Sequence, residues 1–227
     1  IFTWDGPKDT VLTPNDSLKH HLRFMHTGFF AMEPKTGYVL AWVGGIDHRF
    51  FKYDHVKSKR QVGSTFKPIV YATAIEQGIS PCEYFPNQKI TYDKYGWTPG
   101  NSSGEYGGYY SMMGGLTHSV NTVAAAIIMK TGVQPVIAEA RKMGIKGDLP
   151  QVPSIALGTA SLSLQEMVTA YGCFANRGLK AEPQYLVRIE TAEGEILYEH
   201  EAIKKTRALS QETADIMIQI MKSVVNN

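Results

Sequence analysis

Arg60-Gln61-Val62-Gly63-Ser64-Thr65-Phe66-Lys67-Pro68 reads as a tight turn that delivers a serine to the first turn of a helix. Pro68 fixes the register. A proline lacks the N–H and would clash inside a helix, but it is tolerated in the first turn, where backbone donors have no intrahelical partner. The helix is predicted to start at about Ser64, to carry Ile69, Val70, Ala72, Thr73 and Ile75 on an apolar stripe, and to stop near Gly78. Ser64 and Lys67 are three residues apart and share one face of that turn. A serine hydroxyl becomes a good nucleophile only when a neighbouring base takes its proton. A lysine serves as that base only if burial or a second cation lowers its pKa. The helix N-terminus adds partial positive charge and free N–H groups, the Ser64 N–H among them, which favour negative charge developing on an attacked carbonyl. Taken alone, the four residues equally describe a capping serine and a solvated lysine. This is the only Ser-x-x-Lys in the chain, and it is framed by Gly63 and Pro68 with Phe66 available to anchor the turn.

Upstream, residues 46–62 read as a polar and aromatic loop. Before it, residues 28–45 form the clearest hairpin, Phe29 to Met32 and Tyr38 to Val43, around Pro34-Lys35-Thr36-Gly37 with Gly37 in the left-handed position. A lone hairpin is marginally stable, so these strands need a helix layer or further strands. Residues 1–26 are turn-rich and then briefly helical, and read as the tail of a preceding linker or small domain. His20 and His21 are adjacent, point different ways on a helix and lack a suitably spaced third ligand, so they read as surface histidines rather than a metal site.

Downstream, residues 82–108 are an irregular loop with Tyr92, Tyr95, Trp97, Pro99, Asn101 and Tyr106 among glycines, which either covers a groove or is exposed. A short helix over Ser111 to Leu116 gives way to Thr117-His118-Ser119-Val120-Asn121-Thr122 and an apolar helix over Val123 to Met129. Ser119 and Asn121 by themselves read as helix caps. Beside Lys67 they could instead supply a hydroxyl relay and an amide that both donates and accepts. With Ser64 and Lys67 present, the relay is the better reading. Residues 134–144 form an amphipathic helix, Ile155 to Thr159 an extended apolar segment, Leu164 to Asn176 a long helix, Tyr185 to Tyr198 a second hairpin around Glu193-Gly194, and Ser210 caps a last helix running to Val225.

With 227 residues and 43% hydrophobic content, the chain can bury a sizeable core, and its net charge of +2 with 19% charged residues describes an ordinary globular surface. No basic block or aromatic-interleaved Lys/Arg stripe points to nucleic acid. Two cysteines, Cys82 and Cys173, form neither a disulfide framework nor a Cys-x-x-Cys. There is no run of about 18 apolar residues and no signal-peptide pattern, so any membrane anchor is expected outside these residues. Ile1 is not an initiator methionine, and the sequence reads as a piece of a longer chain.

Ser64-Thr65-Phe66-Lys67 followed by Ser119-Val120-Asn121 resembles the penicilloyl-serine transferases, the penicillin-binding proteins and serine β-lactamases. The flanking phrases Phe2 to Gly6, Gly28 to Gly45, Arg60 to Tyr71 and Ile155 to Asn176 are similar to the class A, bifunctional penicillin-binding proteins over essentially the whole chain. The resemblance implies an α+β domain of helices packed around an antiparallel sheet, residues 27–227, behind a linker remnant at residues 1–26. It implies a D,D-transpeptidase acting on peptidoglycan stem peptides ending in D-Ala-D-Ala, acylated by β-lactams, outside the cytoplasmic membrane, with partners among cell-wall assembly proteins. It also implies a glycosyltransferase domain and membrane anchor upstream. Ser64 would be the nucleophile, Lys67 the base for acylation, Ser119 the shuttle to the leaving amine, and Asn121 the positioner of substrate and Lys67. No metal or organic cofactor is expected, since nucleophile, base and relay are all side chains.

The family's third motif, Lys-Thr-Gly on a strand facing the serine, is expected after the Ser-x-Asn motif. Lys35-Thr36-Gly37 precedes Ser64 at a hairpin tip, and Lys130-Thr131-Gly132 follows Asn121 by only nine residues at a helix end. Neither fits, so the third motif and the last sheet strands are expected beyond Val225. Within the enzyme class the rival is a D,D-carboxypeptidase or β-lactamase. A β-lactamase of class A would need a deacylating glutamate on a loop after Asn121, and Glu139 and Glu166 both fall on predicted helices. The rival from another class is a non-catalytic β-lactam sensor or scaffold domain.

Overall fold

The computed structural model describes residues 1–200 and 205–226. Helix α1 (Pro14–His21) starts at Thr13, whose side chain accepts from the Asp16 N–H. Phe2 is buried against the rings of Phe24 and Phe51. Strands β1 (Phe29–Met32) and β2 (Val39–Val43) then form the expected hairpin, with Phe30 opposite Trp42. A two-residue strand, β3 (Arg60–Gln61), leads into a 3-10 turn over Gly63–Phe66 and helix α2 (Lys67–Glu76). The serine therefore sits on the 3-10 turn, and the α-helix proper begins at the lysine.

Strand β4 (Tyr84–Pro86) pairs with β5 (Tyr109–Ser111) across the loop between them. Helices α3 (Met112–Thr117), α4 (Asn121–Thr131) and α5 (Val133–Lys142) follow. Strand β6 (Ser161–Leu162) pairs with β3, and α6 (Leu164–Ala175) runs on to β7 (Leu179–Lys180), the ladder β8 (Arg188–Glu190) with β9 (Ile196–Glu199), strand β10 (Thr206–Arg207) paired with β7, and α7 (Gln211–Val225). The antiparallel component is distributed over two-stranded ladders among the described residues, with helices packed between them. No single described helix is long and apolar enough to cross a membrane.

The core explains the order of the helices. Helix α2 is buried on every side from Lys67 to Ala74, rather than along one stripe, because α4, α5 and α7 surround it. A helix that is apolar all round belongs in the middle of a packed domain. Phe66, Ile69, Val70, Val123, Ile127 and Met217 form the centre of one contiguous apolar cluster. Ile155 to Thr159, expected to be extended, instead belongs to a 3-10 turn over Pro153–Leu157 that buries Ile155 and Ala156 and ends at Gly158. Residues 82–108 are less irregular than their composition indicates, since Tyr84–Pro86 are held in the β4–β5 ladder.

Candidate active site

The turn that carries Ser64 is clamped from two sides. Val62 N–H donates to Ala160 O and Gly63 N–H to Gly158 O, at 3.1 and 3.0 Å. On the other side Tyr171 of α6 donates its hydroxyl to Thr65 O at 2.8 Å. Gly158 has φ +74, and a Cβ there would fall 1.8 Å from Gly63 O, so only glycine permits this approach. Phe66 is fully buried and pins the end of the turn in the core. Ser64 remains exposed at the surface.

Lys67, three residues on at the start of α2, has no exposed surface. Its Nζ donates to Ser119 O at 2.7 Å, to Ser119 Oγ at 3.0 Å and to Asn121 Oδ1 at 2.7 Å. All three ammonium protons are therefore directed at one turn between α3 and α4. Burial pushes the Lys67 ammonium down to about 8 from its ordinary 10.5. A buried cation without a carboxylate partner is disfavoured relative to its neutral form, which puts a base within reach of neutral pH.

The turn that receives these bonds is itself unusual. Ser119 has φ +52, one of two non-glycine residues with positive φ among those described. Neither Ser119 nor Asn121 caps α4. The residue at the cap position is Val120, which makes no side-chain cap bond. Two first-turn N–H groups, those of Asn121 and Thr122, donate instead to Asn101 Oδ1 at 3.0 and 3.1 Å. Asn121 donates its own amide to Gly100 O at 2.9 Å, which leaves Oδ1 for Lys67. Sequence reading placed Asn101 in the loop without a role, and no local pattern connects it to a helix 20 residues later.

The structure thus brings three of the four expected residues, Lys67, Ser119 and Asn121, into direct hydrogen-bonding contact, and places Ser64 one helical turn before Lys67. Beside Thr65 a largely apolar groove of about 470 Å³ runs between Arg60, Leu162, Met167 and Tyr171. Ser64 itself is not among the residues that line it.

These features match a known family. The family model described as the penicillin binding protein transpeptidase domain matches residues 27–227. The chain belongs to the penicillin-binding protein transpeptidase domain family. Penicillin-binding protein 2D of Bacillus subtilis is 36% identical over 184 residues, 78% of this chain and 26% of the relative. Penicillin-binding protein 1A of Neisseria lactamica is 33% identical over 206 residues, 86% of this chain and 26% of the relative. The chain therefore spans about a quarter of the length of these curated relatives. Among solved structures, penicillin-binding protein 1A from Haemophilus influenzae superposes with a TM-score of 0.83 at 25% identity, covering 89% of this chain and 35% of that one. The PonA1 protein from Mycobacterium tuberculosis, solved in complex with penicillin V, superposes at 0.77 with 23% identity over 91% of this chain and 59% of that one, and speaks for the α+β fold.

The penicillin-binding reading draws attention to the glutamates and to the Lys-Thr-Gly triplets. Glu166 lies on α6 as expected, and its carboxylate is saturated. Oε1 accepts from Lys146 N and Gly147 N, and Oε2 from Ser163 N and Oγ. Burial raises its pKa, but these bonds outweigh that and hold it below the usual carboxylate range. Glu139 on α5 is buried beside Lys142, and burial pushes its carboxyl up. Lys35-Thr36-Gly37 forms the β1–β2 turn, and Lys130-Thr131-Gly132 ends α4 with Lys130 paired to Glu83. Among the described residues no group of three His, Cys, Asp or Glu side chains could hold a metal, and Cys82 is exposed while Cys173 is buried.

Proposed function

We propose that this chain is the acyl-enzyme-forming part of a peptidoglycan D,D-transpeptidase, and that Ser64, Lys67, Ser119 and Asn121 are its reacting residues. The observation that carries the reading is the buried lysine with its three bonds to Ser119 and Asn121, three residues after an exposed serine at a helix start. In its neutral form Lys67 takes the Ser64 proton as Oγ attacks the carbonyl of the penultimate D-Ala. The peptide bond to the terminal D-Ala breaks, and Ser119 passes a proton to the leaving amine. The Ser64 N–H, at the start of a helical turn, is placed to donate to the oxyanion. Asn121 holds Lys67 through Oδ1. An amine of a second stem peptide then attacks the ester, forms the crosslinking amide and restores the Ser64 hydroxyl.

The same four residues would react with β-lactams, as the name of the family implies. The work would take place at the external face of the bacterial cytoplasmic membrane, and in a class A parent a glycosyltransferase would extend the glycan strands that this domain joins. A Lys-Thr-Gly triplet outside residues 1–227 would complete carboxylate binding, since neither triplet in this chain lies on a strand beside Ser64.

Intact mass spectrometry of the natural full-length protein with and without benzylpenicillin tests the reading. One drug adduct per molecule, absent in Ser64→Ala, is expected, together with release of D-Ala from a D-Ala-D-Ala peptide and its transfer to an added amine. No adduct on the wild-type protein would overturn the catalytic reading. Rapid loss of the adduct with drug turnover would move the assignment to a hydrolase.

A further inference from the structure

The Ser119 turn carries the contacts to Lys67, and its own sequence ties it through the backbone: Ser119 N–H donates to Leu116 O at 2.9 Å and Val120 N–H to Gly115 O at 2.8 Å. Asn101, from the loop that closes the β4–β5 ladder, accepts from the N–H groups of Asn121 and Thr122 through one oxygen. Its amide nitrogen donates to Asn87 Oδ1 at 2.7 Å and to Glu105 O at 2.8 Å. Asn87 is buried, and its Oδ1 also accepts from the buried Thr122 hydroxyl at 2.7 Å. Asn87, Asn101 and Thr122 therefore form a closed polar ring over the start of α4. Both ends of the loop are tied as well: Asn87 N–H donates to Gly108 O and Gly107 N–H to Asn87 O.

We propose that Asn101 is a positioning residue for the acylation step, acting through the Asn121 backbone to hold Ser119 and the Asn121 amide at the distances that Lys67 requires. This rests on the acyl-enzyme reading of Ser64. The physical reason is a division of labour. If Ser119 or Asn121 capped α4 as their residue types favour, the capping oxygen would be turned toward backbone N–H groups and away from Lys67. Asn101 supplies the cap from another part of the chain and leaves both side chains for the lysine. The same asparagine contacts Gly104 N–H through its carbonyl, so the loop is ordered by the residue that orders the site. Small displacements of reacting groups are costly in rate, and Asn101 is not among the residues that line the groove beside Thr65.

The test is stopped-flow acylation of the natural full-length protein by a fluorescent penicillin, resolved into an apparent dissociation constant and a limiting acylation rate. For Asn101→Ala the limiting rate is expected to fall roughly ten-fold while the dissociation constant changes by less than about two-fold. Asn101→Asp keeps the accepting oxygen but sets its second carboxylate oxygen against Asn87 Oδ1 and Glu105 O, to which the Asn101 amide donates, so its limiting rate should fall as well. A limiting rate for Asn101→Ala within two-fold of wild type overturns the proposal. If Asn101→Ala does not fold, Thr122→Val decides: it removes one bond of the ring in a buried isostere, and a loss of about three-fold supports the assignment while an unchanged rate overturns it. A wild-type protein that takes no label at all overturns instead the acyl-enzyme reading on which the proposal rests.

Discussion

Helices α4 and α6 start in opposite ways. Helix α6 is capped from within its own sequence: Ser163 Oγ accepts the Glu166 N–H, and Glu166 reaches back to the Ser163 N–H and hydroxyl. This reciprocal arrangement is made by residues three apart and uses the Ser163 hydroxyl and Glu166 Oε2, while Glu166 Oε1 is taken up by the N–H groups of Lys146 and Gly147. Helix α4 begins at Val120, whose side chain cannot cap, and borrows its acceptor from Asn101. The serine and asparagine beside it are thereby free to hold Lys67. Helix α2, which carries Lys67, also begins without a side-chain cap. Helices α1, α3, α6 and α7, which contribute none of the four site residues, are capped by Thr13, Ser111, Ser163 and Ser210. Helix α5, which contributes none of them either, also lacks a side-chain cap, so what sets α4 apart is that its acceptor comes from another part of the chain.

The strongest test of that contrast removes the cation that α4 serves. Lys67→Met keeps the apolar stem and deletes Nζ, and acylation by a penicillin is expected to fall on the order of a thousand-fold, within the range for loss of a general base. The pH profile distinguishes this from a packing effect. Because burial holds Lys67 down to about 8, wild-type acylation should rise about ten-fold per pH unit below that value and level off above it. The same shift has a stability consequence of defined sign. The unfolded chain binds this proton more tightly than the folded one, so the burial penalty is fully present below about 8 and is relieved as the pH climbs toward 10.5. A wild-type acylation rate independent of pH between 6 and 9 would mean that Lys67 is not the base.

The opposite half of the contrast predicts a large change in stability and none in chemistry. Glu166→Ala orphans the N–H groups of Lys146, Gly147 and Ser163 together with the Ser163 hydroxyl. Water can reach part of this site, so the expected loss is about 2 kcal/mol, read as a lower urea midpoint with an unchanged slope. The penicillin acylation rate should stay within two-fold of wild type, and the adduct should be as long-lived. A change in adduct lifetime would assign Glu166 a role in deacylation that its four bonds do not leave room for.

The same difference explains what could be read from the sequence. The start of α6 and the cap at Ser210 are local signals in the sequence, whereas Ser111, read as the first residue of its short helix, is that helix's cap. The hairpin over residues 29–43 was legible for the same reason, through alternation and a glycine at φ +78. Ser64, Lys67, Ser119 and Asn121 stood out by residue type, spacing and resemblance to a family. The supports of the site were not legible. Asn101 caps a helix 20 residues away, Tyr171 holds a turn 106 residues away, and Gly158 matters because Gly63 passes against it. Their residue types are ordinary at those positions, and their roles exist only once the chain is folded. The 3-10 turn at Ile155 was misread as extended because a short apolar run carries no periodicity that separates a strand from a buried turn.

The finest test concerns the strain in the Ser119 turn itself. Ser119 is held at φ +52, where a side chain costs roughly 1 kcal/mol that glycine avoids. Ser119→Ala and Ser119→Gly both delete the hydroxyl, and both should slow acylation by about a hundred-fold if that hydroxyl relays the proton. They should differ in stability: the glycine variant escapes the strain but gains backbone freedom when unfolded, leaving it more stable than the alanine variant by about 0.5 kcal/mol. The comparison isolates the backbone, because neither variant can bond Lys67 through the side chain while both retain the Ser119 carbonyl that Lys67 contacts at 2.7 Å. An alanine variant as stable as the glycine one would mean that the turn relaxes out of the left-handed region once the hydroxyl is gone. The Lys67–Oγ bond, rather than the Asn101 cap, would then be what enforces the conformation, and α4 would depend on its active site for its shape instead of the reverse.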